Sequence, residues 1–147
     1  MNEVITRSGV NEKIISFLIQ HTVLTLATCS DTIPHCANCF FAYEEENNLL
    51  IFKSKKDTDH IRQGLENKNV SGSVLPDKLD STKIQGIQFS GIFFEPKNEL
   101  LNLLKKTYYK KYPFALAFTG EIWGVVLISI KMTDNTLGFG KKIEWNK

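Results

Sequence analysis

Lys53, Ser54, Lys55, Lys56, Thr58 and His60 put ammonium, hydroxyl and imidazole groups into a single short segment. The apolar run Leu49–Phe52 just before it suits a buried strand. Asp57 or Thr58 just inside it can cap a helix that carries Ile61 and Leu65 on one side. Free amides at a helix start, with ammonium and hydroxyl groups beside them, suit a phosphate dianion. The same residues also compose an ordinary solvated lysine turn, and both readings stand on these residues alone.

Other chemistry is sparse. The three histidines are His21 at a helix end, His35 at a strand start and His60 beside the basic cluster, and none pairs with a recognisable nucleophile. There is no HxxxH, HExxH or carboxylate cluster, so no metal site is expected. Cys36-Ala37-Asn38-Cys39 has CxxC spacing but falls in an extended segment, where residues three apart point to opposite faces. The two thiols are therefore expected neither to share a metal nor to form a disulfide, and Cys29 leaves an odd count. Sixteen aromatic residues include Phe40, Phe41, Tyr43, Phe52, Phe89, Phe93, Phe94 and Trp123 in strand-like segments. Packing explains them, and a flat ligand would also want such neighbours.

The elements that must position these groups follow from periodicity. Asn11 caps a helix running to about His21, with Ile14, Ile15, Leu18 and Ile19 on its apolar face. Strands are expected at Thr22–Cys29, His35–Tyr43 and Leu49–Phe52, joined by the turns Ser30–Pro34 and Glu44–Asn48. After the short helix come a strand at Asn69–Val74, a loop at Pro76–Ser81 and a strand at Lys83–Glu95. Gly86 and Gly91 in that last strand mark a bulge or a close approach. A helix from Asn98 to Tyr109 and a strand from Ile122 to Met132 complete the core, and the glycine-containing tail reads as a structured loop. Six strands with short helices point to a small antiparallel α+β barrel, and 147 residues to a single domain, 1–147, that buries about two-thirds of its unfolded surface.

Eighteen Lys plus Arg against sixteen Asp plus Glu leave +2, too little to make nucleic acid the expected partner. No stretch reaches the roughly 18 apolar residues that span a membrane, and Met1-Asn2-Glu3 does not open a secretory leader. A cytoplasmic protein with no membrane contact is the expectation.

The tail Lys-Met-Thr-Asp-Asn-Thr-Leu-Gly-Phe-Gly-Lys-Lys-Ile-Glu-Trp, from Lys131 to Trp145, resembles the closing segment of the YhbP-like proteins. These are a branch of the FMN-binding split-barrel superfamily related to pyridoxamine 5'-phosphate oxidase. Cys36-Ala37-Asn38 followed by Phe40, Thr58 with His60, and Gly86-Ile-Gln-Phe-Ser-Gly91 fall in the same order, so the resemblance spans nearly the whole chain. It implies a six-stranded antiparallel split β-barrel of Greek-key type with short flanking helices, forming a homodimer with FMN at the subunit interface. It places Ala37, Asn38, Cys39, Phe40 and Phe41 beside the ring and ribityl chain, and Phe52, Lys53, Ser54 and Thr58 around the tail and phosphate. Lys55, Lys56 and His60 are added by the physical reading. Gln85 to Gln88, Gln88 among them, border the ring edge, and Trp123 or the tail comes from the partner subunit.

Relatives carry basic residues around the turn threonine, whereas Asp57 and Asp59 flank Thr58 here, and acid beside phosphate is unfavourable at short range. The arginine and histidine pattern that binds substrate in true pyridoxamine phosphate oxidases has no match, which disfavours vitamin B6 oxidation. The implied function is an FMN flavoprotein moving electrons or hydride between NADH or NADPH and a small acceptor. The alternative is a non-enzymatic protein that stores or senses flavin or haem on the same fold.

Overall fold

The computed structural model describes residues 9–138 and 140–147; Met1, Asn2, Glu3 and the tail residue Phe139 lie outside the described residues. Asp31 and Thr32 hold left-handed φ angles of 50° and 65°. That backbone lets a two-residue turn follow the twist of its flanking strands. It joins β1 (Val23–Ser30) to β2 (Ile33–Glu44), so the hairpin is tighter than the five-residue turn expected, and Pro34 lies inside β2. At the far end of β2 the Glu44 carboxylate accepts from the amides of Glu46 and Asn47 at 3.1 and 2.8 Å, closing the turn into β3 (Leu49–Ser54).

β4 (Asn69–Val74), β5 (Gln85–Phe94) and β6 (Glu121–Asp134) extend the antiparallel sheet in the order β3-β2-β1-β4-β5-β6. β6 then pairs back onto β3 and closes a six-stranded barrel. The tail contains a seventh strand, β7 (Lys142–Asn146), outside the closed barrel, where a loop was expected. It pairs with Ser129–Thr133 of β6, beyond the stretch that β3 uses. Its signal was the alternation Lys-Ile-Glu-Trp-Asn, obscured by the glycines before it. Ile143 and Trp145 pack against the barrel core.

Leu24, Leu26, Phe41, Leu50, Phe52, Phe93 and Val125 fill the barrel. Among the described residues three α-helices flank it. α1 (Glu12–Gln20), capped by the Asn11 side chain on the Lys13 amide at 2.8 Å, adds Ile14, Ile15, Phe17 and Leu18 to this core. α2 (Asp59–Glu66) inserts Ile61 and lays Gly64 under the Phe93 ring. α3 (Asn98–Lys111) covers a second cluster on the outside, where Leu104, Tyr108 and Tyr112 lie over Ala42, Leu49, Ile51 and Ile122.

The pairing of β5 with β6 shifts register between Ser90 and Gly91. A side chain at Gly91 would meet Val125 Cγ1 at 2.5 Å, so this glycine is a close approach at a bulge, as its place in the sequence suggested. A methyl group at Gly72 would meet Phe89 Cζ and the Thr25 carbonyl oxygen, both at 2.3 Å, whereas one at Gly86 finds ordinary contact with Leu75 at 3.4 Å. Gly72→Ala is therefore expected to lower the unfolding free energy by about 2 kcal/mol and Gly86→Ala by less than about 0.5 kcal/mol, read from urea denaturation. Equal effects would contradict the packing described at Gly72.

Candidate functional site

All six residues of β3 pair with β6, but only Leu49 to Phe52 pair with β2. Lys53 and Ser54 stay bonded to the β6 side, opposite Ile122 and Glu121, while β2 runs on without them. The barrel therefore splits between β2 and β3. Along β2, the Phe41 amide donates to the Thr22 carbonyl at 2.9 Å, toward β1. Antiparallel alternation then turns the amides and carbonyls of Cys36, Asn38 and Phe40 to the opposite edge, where no described strand pairs with them. Pro34 shares that parity, and an unpaired edge is where a residue without an N–H is tolerated.

α2 is laid across the mouth of this split by contacts with the β1–β2 hairpin. Thr28 Oγ1 donates to Gln63 Oε1 at 2.7 Å, Asn67 Nδ2 to the Cys29 carbonyl at 3.0 Å, and Ser30 bonds Glu66. That placement brings His60 to the strand ends. Its Nε2 lies 2.7 Å from Ser54 Oγ and 3.9 Å from Cys39 Sγ. Burial, helped by nearby His35, holds the His60 imidazole below its ordinary pKa, with Asp59 opposing. Burial pushes the Cys39 thiol up to about 11, so it stays protonated at neutral pH.

The remaining predicted residues divide by the direction of their side chains. Thr58 Oγ1 donates to the Lys55 carbonyl at 2.8 Å and so closes the turn rather than capping α2. Lys55 and Lys56 are exposed, and among the described residues neither is in an ion pair. Asp59 is paired with Arg62, which draws one flanking acid away from the turn. The Lys53 ammonium donates to the carbonyls of Ala115 and Phe118 at 2.7 and 2.6 Å and lies 5.0 Å from the Tyr109 ring centre. Asn38 and Phe40 face outward, with Asn38 Oδ1 accepting from Thr25 Oγ1 at 2.8 Å. Ala37 is partly buried against the core, on the inward parity of Cys39 and Phe41.

Phe41, Phe52 and Trp123 are inside the barrel, not on the surface of the split, because their strand parity points inward. They support it from beneath. Phe52 lies 6.3 Å from the His60 ring, and Trp123 Nε1 donates to the Ser54 carbonyl at 2.9 Å. A 1 % exposed Trp123 has no surface to offer a partner subunit. Gln88 is exposed on β5, with β4 and β1 between it and β2 in the sheet, so one chain does not bring it to Ser54.

Sequence reasoning missed the Cys39–His60 contact, the Lys53 clip, and the aromatic segment Pro113–Ala117 with Phe118 that Lys53 holds. For the last, Pro-Phe-Ala-Leu-Ala-Phe is a run of large apolar groups without a buried periodicity. Cys36 is exposed and Cys39 buried, so the two side chains point to opposite faces of β2, as an extended segment requires. Among the described residues no three His, Cys, Asp or Glu side chains are placed to hold a metal. Beside Asn38 a hollow of about 400 Å³ opens on the outer face, lined by Val23, Thr25, Ser73 and Leu75 with Asp77 at its rim. No described helix is long and apolar enough to cross a membrane.

Comparison with solved structures recovers this architecture. A haem-binding protein from Mycobacterium smegmatis superposes with TM-score 0.74 at 14% identity, over 89% of this chain and 56% of that longer one. An FAD-binding protein from Mesorhizobium loti gives 0.69 at 14% identity, covering 83% of this chain and 92% of the other. A provisionally assigned pyridoxamine 5'-phosphate oxidase from Listeria innocua gives 0.61 at 20%, covering 81% and 94%. The fold is thus the α+β split barrel of pyridoxamine phosphate oxidase-like proteins. No family model matches the sequence. A UPF0306 protein of Yersinia enterocolitica is 34% identical over 134 residues, 91% of this chain and 91% of that protein. On that identity and coverage, the chain belongs to the UPF0306 family.

Proposed function

We propose that the split between β2 and β3 binds flavin mononucleotide, and that this chain is a YhbP-like flavoprotein working as a homodimer. The observation that carries the reading is the meeting of two complementary surfaces. The unpaired edge at Cys36, Asn38 and Phe40 offers amide donors and carbonyl acceptors in alternation, which suits a heterocycle that both donates and accepts. Beside it, Ser54, His60 and the start of α2 offer donors for a phosphate. The FAD-binding neighbour on this fold supports the same choice.

When bound, the flavin would supply hydride or electron transfer between a reduced nicotinamide and a small acceptor. This chain's residues would do the holding. Ser54 donates to a phosphate oxygen once its hydroxyl turns from His60, and the β2 edge fixes the plane of the ring. Phe52 and Trp123 keep the cup from collapsing inward. Lys55 and Lys56 add charge from the turn. Haem binding or storage without catalysis is the second reading, carried by the half-buried imidazole of His60 and the haem-binding neighbour.

The absorption spectrum of purified protein titrated with FMN or haem separates these readings. A flavin spectrum, with FMN-dependent oxidation of NADH or NADPH in the presence of an acceptor, is expected; a colourless protein that leaves FMN fluorescence unchanged excludes the proposal. Ser54→Ala is expected to weaken FMN binding at least tenfold, about 1.4 kcal/mol, and Lys55→Glu with Lys56→Glu by a similar factor, both by fluorescence titration. A phosphate dianion beside His60 raises an imidazole pKa that burial has lowered, so binding near pH 7 should take up protons. Affinity then increases as pH falls from 8 toward about 6.5, the ordinary histidine value. Calorimetry in buffers of different ionisation enthalpy reads that uptake, and it should vanish in His60→Gln; uptake that persists there would place the phosphate elsewhere.

A further inference from the structure

Phe40, Phe114 and Phe118 stand in a row at the outer lip of the split. Phe40 and Phe114 have ring centres 6.1 Å apart at 81°, and Phe114 and Phe118 follow at 6.5 Å and 82°. They are 50%, 56% and 65% exposed, and Leu116 between the last two is 68% exposed. Scattered apolar residues on a surface need no explanation, but a contiguous group of this kind does. It is also held still. The Lys53 ammonium bonds the carbonyls of Ala115 and Phe118, and the Tyr112 hydroxyl bonds the Phe41 carbonyl behind Phe40.

The geometry points to a binding shelf for a planar, uncharged aromatic molecule of one or two fused rings. Rings that meet nearly at right angles let a third ring stack on one face while its edge meets the next. Pro113 to Gly120 contains no charged residue, and the Lys53 ammonium that reaches it is bonded to two carbonyls, so this segment itself favours an uncharged ligand. Phe40 joins the shelf to the unpaired β2 edge, because its ring faces the shelf while its backbone faces the split. A molecule on the shelf would thus lie beside the proposed flavin. Its role as the flavin's small-molecule partner rests on that proposal, but its binding does not.

The test is equilibrium dialysis of 2-methyl-1,4-naphthoquinone against the protein, with and without FMN. Wild type should bind it, and Phe114→Ser with Phe118→Ser should weaken binding at least tenfold with unchanged circular dichroism. Leu103→Ser, an exposed control on α3, should bind as wild type. Lys53→Met keeps the rings but frees the segment, and is expected to bind more weakly than wild type. Equal binding by wild type and the double variant would overturn the shelf. So would a wild-type dimer that binds no quinone and becomes monomeric in the double variant, since the rings would then be a subunit contact. Quinone binding without FMN binding would keep the shelf and remove the flavin reading, and FMN binding without quinone binding would do the reverse.

Discussion

The structure turns on how β3 divides itself between two neighbours. A strand has two edges, and β3 gives one of them fully to β6, which closes the barrel, while the other meets β2 for only four residues. β2, at twelve residues, is twice as long as β3 and cannot be covered by it. Closure at one seam therefore forces an opening at the next. An opening in a sheet exposes backbone donors and acceptors that water or a ligand must satisfy. The site is thus a consequence of unequal strand lengths, and its position is set before any side chain is considered.

The side chains at this opening mostly satisfy one another. Ser54 bonds His60, Thr58 bonds the Lys55 carbonyl, Asp59 pairs with Arg62, and Lys53 bonds two carbonyls of the neighbouring segment. An anion arriving here exchanges existing bonds for new ones, so the net gain is smaller than the count of donors suggests. The neutral imidazole is the adjustable part. Burial disfavours its charged form, and an anion placed beside it would favour that form.

The order and type of the six barrel strands were legible because each has a period of two or a run of β-branched and aromatic residues. The cluster from Ser54 to His60 was legible as a strand end meeting a helix start. What sequence could not convey was direction. Lys53 follows a buried Phe52 and looks like one more basic group of the turn, yet its long stem carries the ammonium to Ala115 and Phe118. Trp123 looks like an aromatic available to a ligand, but a single step of strand parity places it in the core. Cys39 and His60 are twenty-one residues apart, and only the packing of α2 over the hairpin brings them together. β7 was hidden because its five residues follow a glycine-rich turn and need β6 to be longer than the barrel requires.

The Trp123 indole is sealed from solvent, and its one N–H is bonded to the carbonyl at the foot of the cup. Indole emission responds to the polarity and hydrogen bonding around the ring, so a displacement of Ser54 is converted into an optical change at a residue no ligand needs to touch. Trp145, half-buried on β7, lies on a different element and supplies an internal reference. The protein therefore has one tryptophan bonded to the foot of the cup and one away from it, and both serve the packing first.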